Sequence, residues 1–195
     1  MNYVNEISKS LVTIREMLTD RGLDASDIAN LGDDEIAELM DSRARFSVFC
    51  ESCDTLIIFD ISSKLVWKET IKACEDENKK LPKIPSLLLV VVRDSAELKK
   101  GKVDVDHPNY QIFGLQELQF NLSHHHLVFK HELIVDEAII KQVMENYQLK
   151  SLNQLPLILK TDAQAKYLNA KPGNLVRVHR ISPTCGVNIV YRYVT

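Results

Sequence analysis

Four groups of side chains in this 195-residue chain are of types that can do chemistry. Cys50-x-x-Cys53 has the spacing of half a zinc site or of a redox pair. A structural zinc needs four ligands, yet Cys74 and Cys185 stand alone and no second paired knuckle exists. A thioredoxin-like pair sits between a strand and a helix, whereas Cys50 and Cys53 straddle a predicted hairpin turn. They are expected as reduced, buried or turn cysteines. His124-His125-His126 with His131 offer imidazoles for a metal. Neighbours on an extended strand point to opposite faces, so at most two of the three converge, and no His-Glu-x-x-His frame is present. A linker whose imidazoles bond to backbone or to a partner protein is expected. Asp104, Asp106 and His107 pair carboxylates with a base, but read as a charged loop tip. The run Arg93 to Lys102 holds four basic and two acidic residues. Its Arg93, Ser95, Lys99, Lys100 and Lys102 can meet phosphate without reading base sequence, although composition alone favours a solvated loop and helix face.

No Gly-x-Ser-x-Gly elbow and no glycine-rich phosphate loop occurs. Nothing assembles a nucleophile, a base and an oxyanion hole. No catalytic residue, metal ligand, cofactor or small-molecule substrate is therefore predicted.

The elements that hold these residues fall into two groups. Residues 1–123 carry a net charge of −7 and residues 124–195 a net charge of +4. Such a reversal suggests two modules with different partners. Hydrophobic content of 45% and charged content of 26% are ordinary for a globular protein. No apolar run approaches the roughly 20 residues that span a bilayer. Met1-Asn2-Tyr3-Val4-Asn5-Glu6 lacks the basic and apolar regions of a secretory signal. The expectation is a protein kept inside the cell, with no membrane partner.

In the first module, Val4, Ile7, Leu11, Ile14 and Leu18 make a helix stripe, closed by Gly22. A second helix is predicted over 33–40. A hairpin follows over 45–50 and 55–61, then a helix over 65–78 with Leu65, Trp67, Ile71 and Cys74 toward the core. The unbroken apolar run from Leu87 to Val92 predicts a strand buried on both faces. Short strands are expected over 110–113 and 118–122, with 101–109 as loop. In the second module Asp136 opens a helix to Leu149, with Ile139, Ile140, Val143, Met144 and Tyr147 on one side. Residues 155–159 are extended, because Pro156 disfavours helix at its neighbour. Asp162 opens a short helix to Leu168. Two alternating runs, 175–181 and 188–194, form an antiparallel pair across Pro183 to Gly186. The fold class is α+β or α/β: a small α/β module over 1–123, and a second over 124–195 with a short, mostly antiparallel sheet.

The order of residues from His124 onward resembles the assembly module of the fifth subunit of eukaryotic RNA polymerases, a module that stands alone as a short subunit of the archaeal enzyme. The resemblance is carried by His124-His125, Leu127-Val128, Lys130-His131, Tyr147, Leu149 and Gln154-Leu155-Pro156. It continues through Asp162, Tyr167-Leu168, Gly173, Val176, Val178, Arg180, Ser182, Thr184, Gly186 and Tyr191-Arg192. More weakly, the opening helix ending Asp20-Arg21-Gly22, and the 87–92 strand before Asp94-Ser95-Ala96, are similar to that family's jaw module. The chain departs from the family at Phe129 and Ala163, where proline is usual, at Asn169, usually glycine, and at Pro183, usually glutamate.

The resemblance implies a non-catalytic subunit of a multisubunit DNA-directed RNA polymerase. It would dock through its second module on the largest subunit and neighbouring small subunits, and place its first, the jaw, beside downstream duplex DNA. The interface residues it implies are His125, Lys130, His131, Leu155, Pro156, Arg180, Thr184, Gly186, Tyr191 and Arg192. The DNA-proximal ones are Arg93, Ser95, Lys99, Lys100 and Lys102. With an acidic first module, DNA contact is expected to be weak. The location would be the nucleus for a cellular eukaryotic subunit, and cytoplasm or virion for a viral one. The competing readings are a small metal- or thiol-dependent enzyme and a free-standing nucleic-acid-binding adaptor.

Overall fold

The computed structural model describes residues 3–28, 32–40, 45–62, 70, 72, 76–77, 85–93, 110–182 and 186–195. The chain divides into two compact units, Met1–Phe120 and Asn121–Thr195. Each combines helices with a four-stranded sheet, so the fold is α+β.

In the first unit, helix α1 spans Val4–Asp20 and buries the predicted stripe of Val4, Ile7, Leu11, Ile14 and Leu18. Gly22 follows at φ +80°, a left-handed conformation that costs glycine little, and Leu23 N–H bonds back to the Leu18 carbonyl at 3.0 Å. Helix α2 is Asp33–Leu39, opened by the Glu35 carboxylate accepting from Gly32 N–H at 2.9 Å. The sheet runs in the order β1 (Arg45–Cys50), β2 (Thr55–Asp60), β3 (Leu87–Val92), β4 (Tyr110–Gly114). Only β1 and β2 are antiparallel; β2–β3 and β3–β4 are parallel. Every residue of β2 and β3 is buried, the pattern of strands covered on both faces. Leu56, Ile58, Leu88, Val90 and Val92 form one cluster of that core. Each such side chain contributes about 1.5–3 kcal/mol by leaving water. Phe46 and Phe59, directly opposite across β1 and β2, stack at 4.7 Å.

At the end of β2 the fully buried Asp60 faces Arg45 across the strand pair, at 2.8 Å. It also accepts from Thr70 Oγ1 at 2.6 Å and Ser62 Oγ at 2.7 Å. The strand expected over 118–122 does not form. A 3₁₀ turn, Leu115–Leu118, takes its place, opened by Glu117 accepting from Gly114 N–H at 3.3 Å. Leu115 and Leu118, three apart, both turn inward, and that spacing suits 3.0 residues per turn. Of the helix expected over 65–78, Thr70, Lys72, Asp76 and Glu77 are helical. Leu65, Trp67, Ile71 and Cys74 lie outside the described residues, as do the 101–109 loop and Pro183 to Cys185.

The second unit opens on a 3₁₀ turn, Leu122–His124, capped by Asn121 accepting from Ser123 N–H at 3.0 Å. The three histidines therefore sit in a turn, and not on the extended strand that the spacing argument assumes. β5 is Lys130–Ile134 and helix α3 is Glu137–Asn146, with Asp136 accepting from Ala138 N–H at 2.8 Å. A turn over Leu152–Gln154 leads into the two-residue strand β6, Leu157–Ile158. Helix α4, Ala163–Tyr167, is capped by Asp162 accepting from Gln164 N–H at 2.9 Å. β7 (Leu175–Ser182) and β8 (Gly186–Val194) close the sheet in the order β5-β7-β8-β6. Two of its three pairings are antiparallel, and β6–β8 is parallel. Among the described residues no helix is long and apolar enough to cross a membrane.

Candidate functional site

The β7–β8 hairpin is longer than anything beside it. Its register sets Leu175 opposite Tyr193 at the root and Ser182 opposite Gly186 at the tip. Side chains alternate between faces. Leu175, Arg177, His179 and Ile181 therefore share one face with Tyr193, Tyr191, Ile189 and Val187. At the root, α3 covers this face: Val143, Ile139 and Ile140 pack with Ile134, Leu175, Tyr191 and Tyr193. The opposite face is covered by α4 and its flank, where Ala165, Leu168 and Ala170 meet Val176, Val178, Val194, Leu133 and Ile158.

Neither cover reaches the tip. Leu175 is 0% exposed, whereas Ile181 is 76% exposed, Val187 64% and Ile189 41%. Ile181 and Val187 lie directly opposite each other, so they form one apolar patch, and Ile189 adjoins it. The outer edge of β8 is also open. β6 pairs only with Tyr193 and Val194, leaving Gly186 to Arg192 with no strand on that side among the described residues.

Between root and tip lies a charged band. Glu132 sits opposite Arg177, and Lys130 opposite His179. The Glu132 carboxylate accepts from Lys130 Nζ at 2.7 Å and from His179 Nε2 at 2.9 Å, with Arg177 at 3.5 Å. Hydrogen bonds from Lys130 and His179 hold it down to about 2. Arg177 also lies 5.7 Å over the Tyr191 ring, and Arg180 lies 5.5 Å over Phe129.

The residues expected at an interface divide accordingly. Arg180 and Gly186 are exposed at the tip, and Gly186 adopts φ +71° as the strand begins. Tyr191 is half-buried and meets Tyr147 edge-on at 5.9 Å, leaving Tyr147 exposed rather than facing the core. Arg192 donates to the Leu157 carbonyl at 3.2 Å. Lys130 is exposed in the charged band. His131 is on the other face, donating from Nδ1 to the Phe129 carbonyl at 2.6 Å, and burial lowers its pKa. His125 is exposed and turns on itself, Nδ1 accepting from Leu127 N–H at 3.3 Å. Leu155 is buried in the α3 cluster. The adjacent Pro156 is exposed, its carbonyl accepting from Tyr193 N–H at 2.9 Å. Thr184 lies outside the described residues. In the first unit Arg93 is exposed, with its guanidinium 5.1 Å over the Tyr3 ring. Ser95, Lys99, Lys100 and Lys102 lie outside the described residues.

Sequence reasoning missed Ile181, Val187 and Ile189. The signal was present as apolar alternation in two strands that outrun β5. It missed Glu132 too, which only the cross-strand register identifies. Two departures noted in the sequence are accommodated. Asn169 takes φ +55°, the left-handed conformation that asparagine tolerates best after glycine. Ala163 occupies the first helical position, where proline is favoured but not required. Among the described residues no three His, Cys, Asp or Glu side chains gather to hold a metal ion.

Comparison with known proteins matches residues 120–194 to the family described as RNA polymerase Rpb5, C-terminal domain. DNA-directed RNA polymerase subunit Rpo5 of Methanocaldococcus jannaschii is 41% identical over 73 residues, 37% of this chain and 91% of the relative. The Rpo5 subunit of Staphylothermus marinus is 43% identical over 75 residues, 38% of this chain and 79% of the relative. A longer relative is the rpabc1 subunit of DNA-directed RNA polymerases I, II, and III from Dictyostelium discoideum. It is 26% identical over 200 residues, covering 98% of both chains. The matched residues 120–194 coincide with the second unit, Asn121–Thr195, and the chain belongs to the Rpb5/Rpo5 family of RNA polymerase fifth subunits.

Proposed function

We propose that this chain is a non-catalytic polymerase subunit whose second unit docks on the largest subunit and neighbouring small subunits. The observation that carries this reading is the uncovered hairpin tip. Ile181, Val187 and Ile189 present an apolar patch with no cover of their own, beside an open strand edge that accepts another chain's backbone. The net charge of +4 on residues 124–195 suits an acidic partner, because complementary charge steers docking and fixes register. Tyr191 shares the face of this patch, while Arg180 and Arg192 project from the opposite face of the same hairpin; Tyr and Arg are types enriched at interfaces.

The test is affinity purification of a tagged chain from cells that express its polymerase. The wild type recovers the large subunits. Ile181→Asp with Val187→Asp lowers recovery about tenfold or more, the effect of truncating an anchor worth at least ~1.4 kcal/mol. The purified variant unfolds at the wild-type urea concentration, since both sites are exposed. Large subunits absent from the wild-type eluate, or undiminished in the variant's, would falsify the proposal.

The first unit acts as the jaw and lies beside downstream duplex DNA. Its net negative charge leaves few lysines and arginines for counterion release, so contact is weak and positional. The isolated chain leaves duplex DNA unshifted at sub-micromolar concentration in moderate salt. A shift under those conditions sinks this assignment of a weak contact.

A further inference from the structure

Cys50 and Cys53 play no part in the docking surface, and they are placed in an unusual way. Cys50 closes β1, opposite Thr55, and Cys53 lies in the turn that leads into β2. Both thiols are buried and free, and Cys53 Sγ points at Cys50 Sγ from 2.9 Å. Closing to a bond of about 2.0 Å requires a movement of under about 1 Å.

The turn is held from both sides in the shape that brings the sulfurs together. Ser52 N–H donates to the Asp27 carboxylate at 2.9 Å, and its hydroxyl donates to the same oxygen. Thr55 Oγ1 donates to the Cys53 carbonyl at 3.1 Å, and Ser86 N–H to the Asp54 carbonyl at 2.9 Å. Asp54 adopts φ +48°, the bend that returns the chain to β2. Cys53 keeps 7% of its surface exposed beside the exposed Glu51 and Ser52 at the tip, while Cys50 has none, so Cys53 is the sulfur nearer to solvent. Among the described residues no third ligand completes a metal site.

We propose that Cys50 and Cys53 form an oxidation site, a dithiol that closes to an intramolecular disulfide by exchange with a small-molecule disulfide of the glutathione type. The Cys53 thiolate attacks one sulfur of the reagent. The reagent's S–S bond breaks, and the first small thiol leaves with the electron pair and takes up a proton. Cys50 Sγ, its proton passing to solvent, then attacks the Cys53 sulfur of the mixed disulfide and expels the second small thiol. The two cysteines together lose two protons and two electrons, and the reagent is reduced to two thiols. Burial and the hydrogen bond from Cys53 push the Cys50 thiol up to about 11. Cys50 is accordingly the poorer first nucleophile, which assigns the opening attack to Cys53.

The experiment uses the full chain, equilibrated without oxygen in mixtures of reduced and oxidised glutathione, quenched with iodoacetamide and digested with trypsin. Residues 46–64 contain no internal lysine or arginine, so both cysteines fall in one peptide, separate from Cys74 and Cys185. The expected result is a 46–64 peptide that has lost two hydrogens and takes up no alkyl group. Its fraction rises with the ratio of oxidised glutathione to the square of reduced glutathione. Cys50→Ser stops the reaction halfway and accumulates a glutathione adduct on Cys53, a signature that a merely structural pair does not produce. Full alkylation of both cysteines in the wild type at every ratio overturns the proposal, as does a linkage to Cys74 or Cys185 in its place.

Discussion

Asp60 and Glu132 are the same device in two settings. Each carboxylate stands directly opposite an arginine across an antiparallel strand pair, Arg45 in the first unit and Arg177 in the second. Asp60 is wholly buried. Burial pushes its carboxyl up, but hydrogen bonds from Thr70 and Ser62, with the Arg45 guanidinium, outweigh that, and the net direction is below 3.8. Glu132 keeps 30% of its side chain in water and gathers three basic side chains around it. One arrangement staples a core from inside. The other arranges charge on a surface that stays open to a partner.

That contrast can be broken by substitution. Asp60→Ala removes a wholly buried carboxylate together with its bonds to Arg45, Thr70 and Ser62, and the expected cost to the first unit is about 3–5 kcal/mol. Glu132→Ala removes a partly hydrated pair and is expected to cost the second unit only about 0–1 kcal/mol. Amide hydrogen exchange resolved by peptide reads the two units separately. Equal costs would mean that burial does not distinguish the two carboxylates.

Acid sharpens the same contrast more gently. Glu132 is depressed in the folded chain, from an ordinary 4.5 to about 2. Its contribution is therefore complete above pH about 4.5 and fades as pH falls toward about 2, because the unfolded chain takes up the proton first. The stability difference between wild type and Glu132→Gln should shrink across that window and vanish at its lower end. A difference that persists unchanged at pH 2 removes Glu132 as its source.

The elements that could be read from sequence are those whose signal is local. The α1 stripe and its glycine stop, the caps at Asp136 and Asp162, the unbroken 87–92 run and the final hairpin each announce themselves within a few residues. Other features depend on interactions that the apolar pattern does not show. The strand expected over 118–122 gives way to a turn over 115–118, where Glu117 reaches back to Gly114 and two leucines turn inward three apart. Leu155, beside Pro156, lies where α3 closes over it. For the candidate site, the strands carrying Arg180, Tyr191 and Arg192 were legible. The uncovered patch at Ile181 and Val187 was not, because exposure there depends on where α3 and α4 stop. Cys50 and Cys53 read as buried or turn cysteines; Cys50 is a buried residue that ends β1, and Cys53 lies in the turn. Their mutual approach is a matter of turn geometry that spacing alone does not carry.

The bare flank of β8 has a cost when the chain is alone. The backbone N–H and C=O groups of residues 186–192 that point away from β7 are open to any extended segment that fits, including the same stretch of another copy. Val187, Ile189 and Val190 lie along that flank, and only Asn188 and Arg192 interrupt them. A cell that synthesises this subunit faster than its polymerase can absorb it accumulates molecules whose most available mate is one another. Balanced expression is thus a physical requirement of the hairpin.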